Sequence, residues 1–366
     1  MKRLWLSVII VIIIIILGII SYLIISKPSP PASISTPIST PITSLVTGTS
    51  TLTTVSPTVS YKIVIATGGV GGVFFYYGST IAGIISNTTG ISATAIQTTA
   101  SIDNLALIRD KTDISKGVIY CATVMSDMAY LAYLGLHERF ANNTAPIAIL
   151  WAMYPNYMHI VTTADSGIKS VYDLKGRRVS TENPGSVTEY LALKILKLAG
   201  IDPEKDIVRE RLSVQLSTQS LAEGSIDAFF WSGGLPTGSV LELAKTLSLK
   251  GKQIYLVSID PKIIEGLKKE IPIIVNAIIP KNVYGAPEDA NTFATWNVFV
   301  CHKDTPTDIA YQITKAIFEN LDTLHKAVAA AKDTNLDNAL IYYGKLPIPY
   351  HEGALKYFRE KGVVKS

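Results

Sequence analysis

Cysteine and histidine are scarce, with two Cys and five His in 366 residues. The histidines at 137, 159, 302, 325 and 351 form no H-E-x-x-H, and the cysteines form no C-x-x-C. Those absences argue against a structural metal site. Charge is also thin: 17% of residues are charged and the net is +4, to which Lys2 and Arg3 contribute two. With no basic tract or stripe, nucleic acid is excluded as a partner. No Gly-Lys-Ser/Thr follows any glycine cluster, so there is no Walker A loop, and no histidine accompanies a G-x-S-x-G elbow. With acid–base pairs also missing, the chain reads as a binding protein without catalytic residues. Cys121 and Cys301 each lie in an apolar stretch, which favours two buried thiols over a disulfide.

Long apolar runs are absent after residue 25. The stretch 271–280 is ten residues with prolines at 272 and 280, too short to span a bilayer. Leu4–Ile25, by contrast, is a 22-residue run without a charge. As a helix it reaches about 33 Å, enough to cross a hydrocarbon core of about 30 Å. Lys2 and Arg3 before it place the N-terminus inside and the remainder outside. The run is longer than a signal-peptide core and no A-x-A site follows, so an uncleaved single-pass anchor is the preferred reading over a cleaved signal. Residues 26–60 hold nine Ser, nine Thr and six Pro, with Lys27 the one charge. Such a segment cannot bury a core and reads as an extended linker outside the membrane. Sequons at Asn87 and Asn142 agree with an extracytoplasmic location.

From Tyr61 strand and helix signals alternate. The apolar 62–66 is a strand ended by Gly68-Gly69-Val70-Gly71-Gly72, and a helix follows over 74–86. A strand at 91–97, a helix capped by Ser101, a strand at 118–123 and a helix opened by Ser126-Asp127 continue the pattern. The rhythm resumes with a strand at 179, a helix over 187–199 ended by Gly200, a short helix at 217–223 and a strand at 226–231. An apolar strand at 294–301 returns the chain, and 307–324 is helical. The alternation implies an α/β body with a mainly parallel sheet, in two lobes joined by strands near 160 and 295. The expected division is an anchor or signal at 1–25, a linker at 26–60, lobe I at 61–162 and 295–366, and lobe II at 163–294.

The glycine cluster invites comparison with a dinucleotide fingerprint. Started at Gly69 and Gly71, its third glycine position is Phe74, and Gln97-Thr98-Thr99 stands where the second strand should end in an acid. No nucleotide cofactor is therefore expected. Two readings stay open, a plain tight turn and an anion cradle built from free N–H groups at a helix start. Gly185-Ser186-Val187-Thr188 repeats the arrangement further on. Two such helix starts in two lobes suggest one small anion clamped between them.

These residues, in this order, resemble the TAXI-type substrate-binding proteins of TRAP transporters over nearly all of 61–366. The resemblance rests on Ile65-Ala66-Thr67-Gly68 with Gly71-Gly72, on Ser101-Ile102-Asp103-Asn104-Leu105, and on Ser126-Asp127-Met128-Ala129-Tyr130. Further along it rests on Asp173-Leu174-Lys175-Gly176, on Gly185-Ser186-Val187-Thr188-Glu189, on the run from Ile226 to Thr237, and on Pro349-Tyr350-His351-Glu352-Gly353. It implies a type II periplasmic-binding-protein fold, two lobes closing by a hinge on a cleft, and delivery of ligand to a membrane permease. The family's ligands are small acids such as glutamate, 2-oxoglutarate or C4-dicarboxylates. Carried onto this chain, it points to the backbone of Gly69, Gly71, Gly72, Val73 and Phe74 in lobe I. It adds Ser101, Thr123 and Ser126 there as hydroxyl donors, with Asn104 as a brace. In lobe II it points to Gly185, Ser186 and Thr188, with Trp231 closing over an apolar stem. Where the family has Gly-Gly-Thr-Tyr-Tyr this chain has Gly71-Gly72-Val73-Phe74-Phe75, and Val187 interrupts Gly-Ser-Gly-Thr. A membrane-tethered extracellular ligand sensor or scaffold without a transport role is the alternative.

Overall fold

The computed structural model describes residues 60–364; the apolar run read as an anchor and the linker up to residue 59 lie outside the described residues. Among the described residues no helix is long and apolar enough to cross a membrane. Strand β1 (Lys62–Ala66), helix α1 (Val73–Thr89), β2 (Ser92–Ile96), α2 (Ser101–Lys111), β3 (Val118–Met125) and α3 (Ser126–Tyr133) form the first alternating group. β1 pairs in parallel with both β2 and β3. Four of its five residues are buried, as expected of a parallel strand covered on both faces. The second group is β5 (Arg178–Ser180), α4 (Val187–Leu198), β6 (Val208–Glu210), α5 (Val214–Glu223) and β7 (Ala228–Gly233), with β5 parallel to β6 and β7.

Two long strands tie the groups together. β4 (Ile147–Thr163) and β10 (Ala290–His302) are antiparallel neighbours in the centre of the order β2-β1-β3-β10-β4-β7-β5-β6. β10 pairs with β3 through Asn297–Cys301, and with β9 (Val275–Ile279) through Ala290–Ala294. β4 pairs with β7 through Tyr157–Val161 and with β8 (Ile254–Leu256) through Val161–Thr163. β10 therefore joins the first group through β3, β4 joins the second through β7, and their mutual pairing links the two. Between the halves Pro155, which has no N–H to give, faces Trp296, and the register shifts between Trp296 and Val298. The expected mainly parallel sheet is thus corrected to two parallel groups joined by an antiparallel centre.

Helices α6 (Gly238–Leu249), α7 (Pro261–Lys268), α8 (Thr307–Phe318), α9 (Leu321–Ala327) and α10 (Glu352–Glu360) complete the layers. The single helix expected over 307–324 is two, broken at Glu319–Asn320. α10 lies against α8 so closely that a Cβ at Gly353 would strike the Thr307 carbonyl. In the first group's core Trp151 stacks on Phe299 at 4.4 Å and donates to the Tyr77 hydroxyl at 2.9 Å. The two cysteines are bonded, against the expectation of free thiols. Cys301 stands directly opposite Cys121 in the β3–β10 register, a proximity that no local sequence feature announces.

Candidate ligand-binding site

The first helix start is made of backbone alone. After β1, Gly72 N–H donates to the Gly69 carbonyl (3.2 Å) and closes a turn. Gly71 sits at φ +87°, a left-handed conformation that suits glycine. Its carbonyl accepts from the Ser239 hydroxyl (3.2 Å), a bond that ties this loop to α6. α1 begins without a side-chain cap. Its first-turn N–H groups, Val73 and Phe74 among them, have no acceptor within the helix.

The second start is capped by side chains. Ser186 Oγ accepts from Glu189 N–H (3.0 Å) while Glu189 Oε2 accepts from Gly185 N–H (3.0 Å), a reciprocal cap. The other Glu189 oxygen takes Arg209 Nη2 (2.5 Å) and Arg211 Nε (2.7 Å), so its charge is matched away from the helix axis. This leaves Val187 and Thr188 as the first-turn residues of α4 with uncapped N–H groups.

Both starts face one small cavity. Val73 and Phe74 line it from one side, Val187 and Thr188 from the other, with Met125, Val214 and Trp231 as apolar walls. The Trp231 indole is held by donation to Thr237 Oγ1 (2.9 Å). It lies so near Gly72 that a Cβ there would stand 3.0 Å from the ring. The free volume is about 30 Å³, room for one or two waters, since by the same measure a single water needs roughly 10–15 Å³. A ligand of several carbon atoms enters only if the walls part.

Of the residues singled out in the sequence, Gly69, Gly72, Val73, Phe74, Ser101, Ser186, Thr188 and Trp231 line this cavity. Five others do not. Gly71 turns its carbonyl to Ser239 and lines a separate surface opening. Asn104 braces the loop, donating to the carbonyls of Thr67 (2.6 Å) and Thr123 (2.9 Å). Thr123 is buried within β3, and the Ser126 hydroxyl is engaged with Tyr342 OH at 2.9 Å. Gly185, at φ +80°, gives its N–H to Glu189. Ser101 is not the helix cap: Ala100, at φ +82°, precedes α2, and Ser101 Oγ accepts from Met125 N–H (3.0 Å).

Several lining residues carry no mark in the sequence: Thr99, Asn183, Ser232 and, above all, Glu182. Glu182 is 6% exposed and sits at φ +76°. Burial, with the Glu189 charge adding to it, pushes its carboxyl up to about 7, against the pull of the Ser186 hydroxyl and nearby N–H groups. The one signal for it in the sequence is an acid in the short loop before Gly185-Ser186, and nothing local says that it turns inward. Outside the cavity, Asp103 and Arg139 form an ion pair in an open groove that also includes Gln97, Asn183 and Pro184.

The chain matches the NMT1-like family over residues 65–362, which takes in both strand groups and the joining strands. It belongs to the NMT1-like family. This family member also shares its fold with solved structures at low identity. MatC from Rhodopseudomonas palustris, solved with bound malate, is 12% identical, with 85% of this chain and 100% of that chain covered and a TM-score of 0.50. The periplasmic binding protein BugD is 10% identical, with coverage of 83% and 93% and a TM-score of 0.50. Likeness at this identity speaks for the fold, an α/β fold of the periplasmic-binding-protein kind.

Proposed function

We propose that this NMT1-like protein is an extracytoplasmic solute receptor of TAXI type. In this reading it holds a small carboxylate between two lobes and hands it to a TRAP-type membrane permease. The carrying observation is that the first-turn residues of α1 and α4, one helix from each strand group and each with uncapped N–H groups, line the same cavity. A helix start favours an anion through its partial positive charge, and N–H bonds to a charged group are stronger than neutral ones. Among the described residues no Arg, Lys or His lines the cavity, so the carboxylate is held by neutral donors. The malate carried by MatC is of the same chemical class. One lobe is 61–154 with 297–366 and the other 156–295, the boundary in β4 standing before the expected 162, and β4 and β10 flex where Pro155 faces Trp296. The run at 4–25 is the membrane anchor.

Thermal melting of the chain against glutamate, 2-oxoglutarate, succinate and malate, with their amides or esters as neutral controls, tests the ligand class. At a hundredfold excess over Kd a true ligand stabilises by about 2.7 kcal/mol and raises Tm by about 5 °C. A shift with neutral compounds alone overturns the carboxylate reading. Deleting the gene abolishes cellular uptake of that acid if the protein delivers to a permease; unchanged uptake makes it a sensor.

A further inference from the structure

The cavity wall carries one ionisable side chain, and it is an acid. Glu182 lines the space together with the first turns of α1 and α4. Its backbone is held in the left-handed region, which disfavours any residue with a side chain beyond glycine. The loop's neighbouring charges are already matched: Glu189 takes both Arg209 and Arg211, and Asp103 pairs with Arg139 in the groove outside. Among the described residues no cationic side chain pairs with Glu182, and none lines the cavity. A carboxyl with neutral hydrogen-bond partners but no cationic one is thus kept in a small space, in the same wall as the first-turn residues of two helices.

Those two features ask for opposite things of a ligand. The helix starts favour a negative group, while Glu182 in low-dielectric surroundings repels a second negative group and favours a positive one. A keto, hydroxy or plain dicarboxylic acid meets the first demand and brings no cation for the second. An α-amino acid meets both, because its carboxylate and ammonium sit on one carbon. We propose that Glu182 is the counter-charge for a ligand ammonium group, so that the cavity selects a small amino acid over keto, hydroxy and dicarboxylic acids of the same length. The proposal rests on the reading that the helix starts hold a carboxylate, and it narrows that class.

The test is calorimetric titration of the full chain with matched pairs: glutamate against 2-oxoglutarate, aspartate against malate, alanine against lactate. The amino member of at least one pair should bind at least tenfold more tightly at pH 8. Its affinity should rise between pH 6 and pH 8 as Glu182 ionises. Glu182→Gln should lower amino-acid affinity at least tenfold and narrow the gap between the pair members. Glu182→Gly, which suits the positive φ, provides a second variant whose fold is not in question and should do the same. Keto or hydroxy acids binding as tightly as their amino partners, or an amino preference that survives both substitutions, would overturn the Glu182 assignment and leave the carboxylate site standing. An affinity for acids that falls as pH rises would also overturn it, since a protonated Glu182 would then be donating to a ligand carboxylate. If no member of any pair binds while a neutral solute does, the underlying carboxylate reading fails and the proposal fails with it.

Discussion

The two helix starts that meet at the cavity look alike in the sequence, each a glycine loop running into an apolar helix, yet they are built in opposite ways. Gly69–Val73 uses no side chain: the turn closes through Gly72 and Gly69, and the helix begins uncapped. The Glu182–Thr188 loop uses almost nothing else, with Ser186 taking the Glu189 N–H, Glu189 taking the Gly185 N–H, Arg209 and Arg211 matching Glu189, and Glu182 lining the space between. The contrast teaches a division of labour. One lobe offers neutral donors that accept any small anion, whereas the other carries the charges that decide which ligand stays.

That division implies unequal sensitivity, and the sharpest expected effect lies in the second lobe. Arg209→Ala leaves the nearly buried Glu189 with Arg211 alone, whose side chain is 48% exposed. Loss of a partner from a buried pair should cost about 3 kcal/mol in urea unfolding, and a loss below about 1 kcal/mol would reduce the Arg209–Glu189 contact to an ordinary surface pair.

An effect of comparable size, but confined to higher pH, is expected at Glu182, whose carboxyl is raised from the ordinary 4.5 to about 7. Below about 4.5 it is protonated both folded and unfolded, so it costs nothing. Between about 4.5 and 7 the unfolded chain ionises and the folded one resists, so stability falls as pH rises through this window. Glu182→Gln should therefore match the parent near pH 4 and exceed it by about 3 kcal/mol near pH 8. A difference that stays flat across that range would show that Glu182 is not desolvated, and would erase the contrast between the two loops.

What could be read from the sequence was whatever local signals carry. β1 and α1 follow from an apolar strand, a glycine turn and an apolar helix, and α4 from a Ser cap and a closing glycine at 200. Asn104 shows the limit of such signals. It lies in the right motif, but its amide is spent on the carbonyls of Thr67 and Thr123, which only the fold brings beside it. The Cys121–Cys301 bond likewise depends on the long-range register of β3 and β10. The 17-residue β4 hid behind Pro155, which reads locally as a strand breaker. α6 starts at Gly238 with no side-chain cap to announce it. Glu182 was invisible for a different reason: its inward direction is set by a positive φ that no neighbouring residue demands.

A crystal structure of the chain with the acid or amino acid that raises its melting temperature tests the central claim most directly. The account expects carboxylate oxygens within about 3 Å of N–H groups at Val73 or Phe74 and at Val187 or Thr188, with the ligand enclosed between the two strand groups. A ligand seated instead in the outer groove beside Gln97, Asp103 and Arg139, with both helix starts untouched, would contradict it.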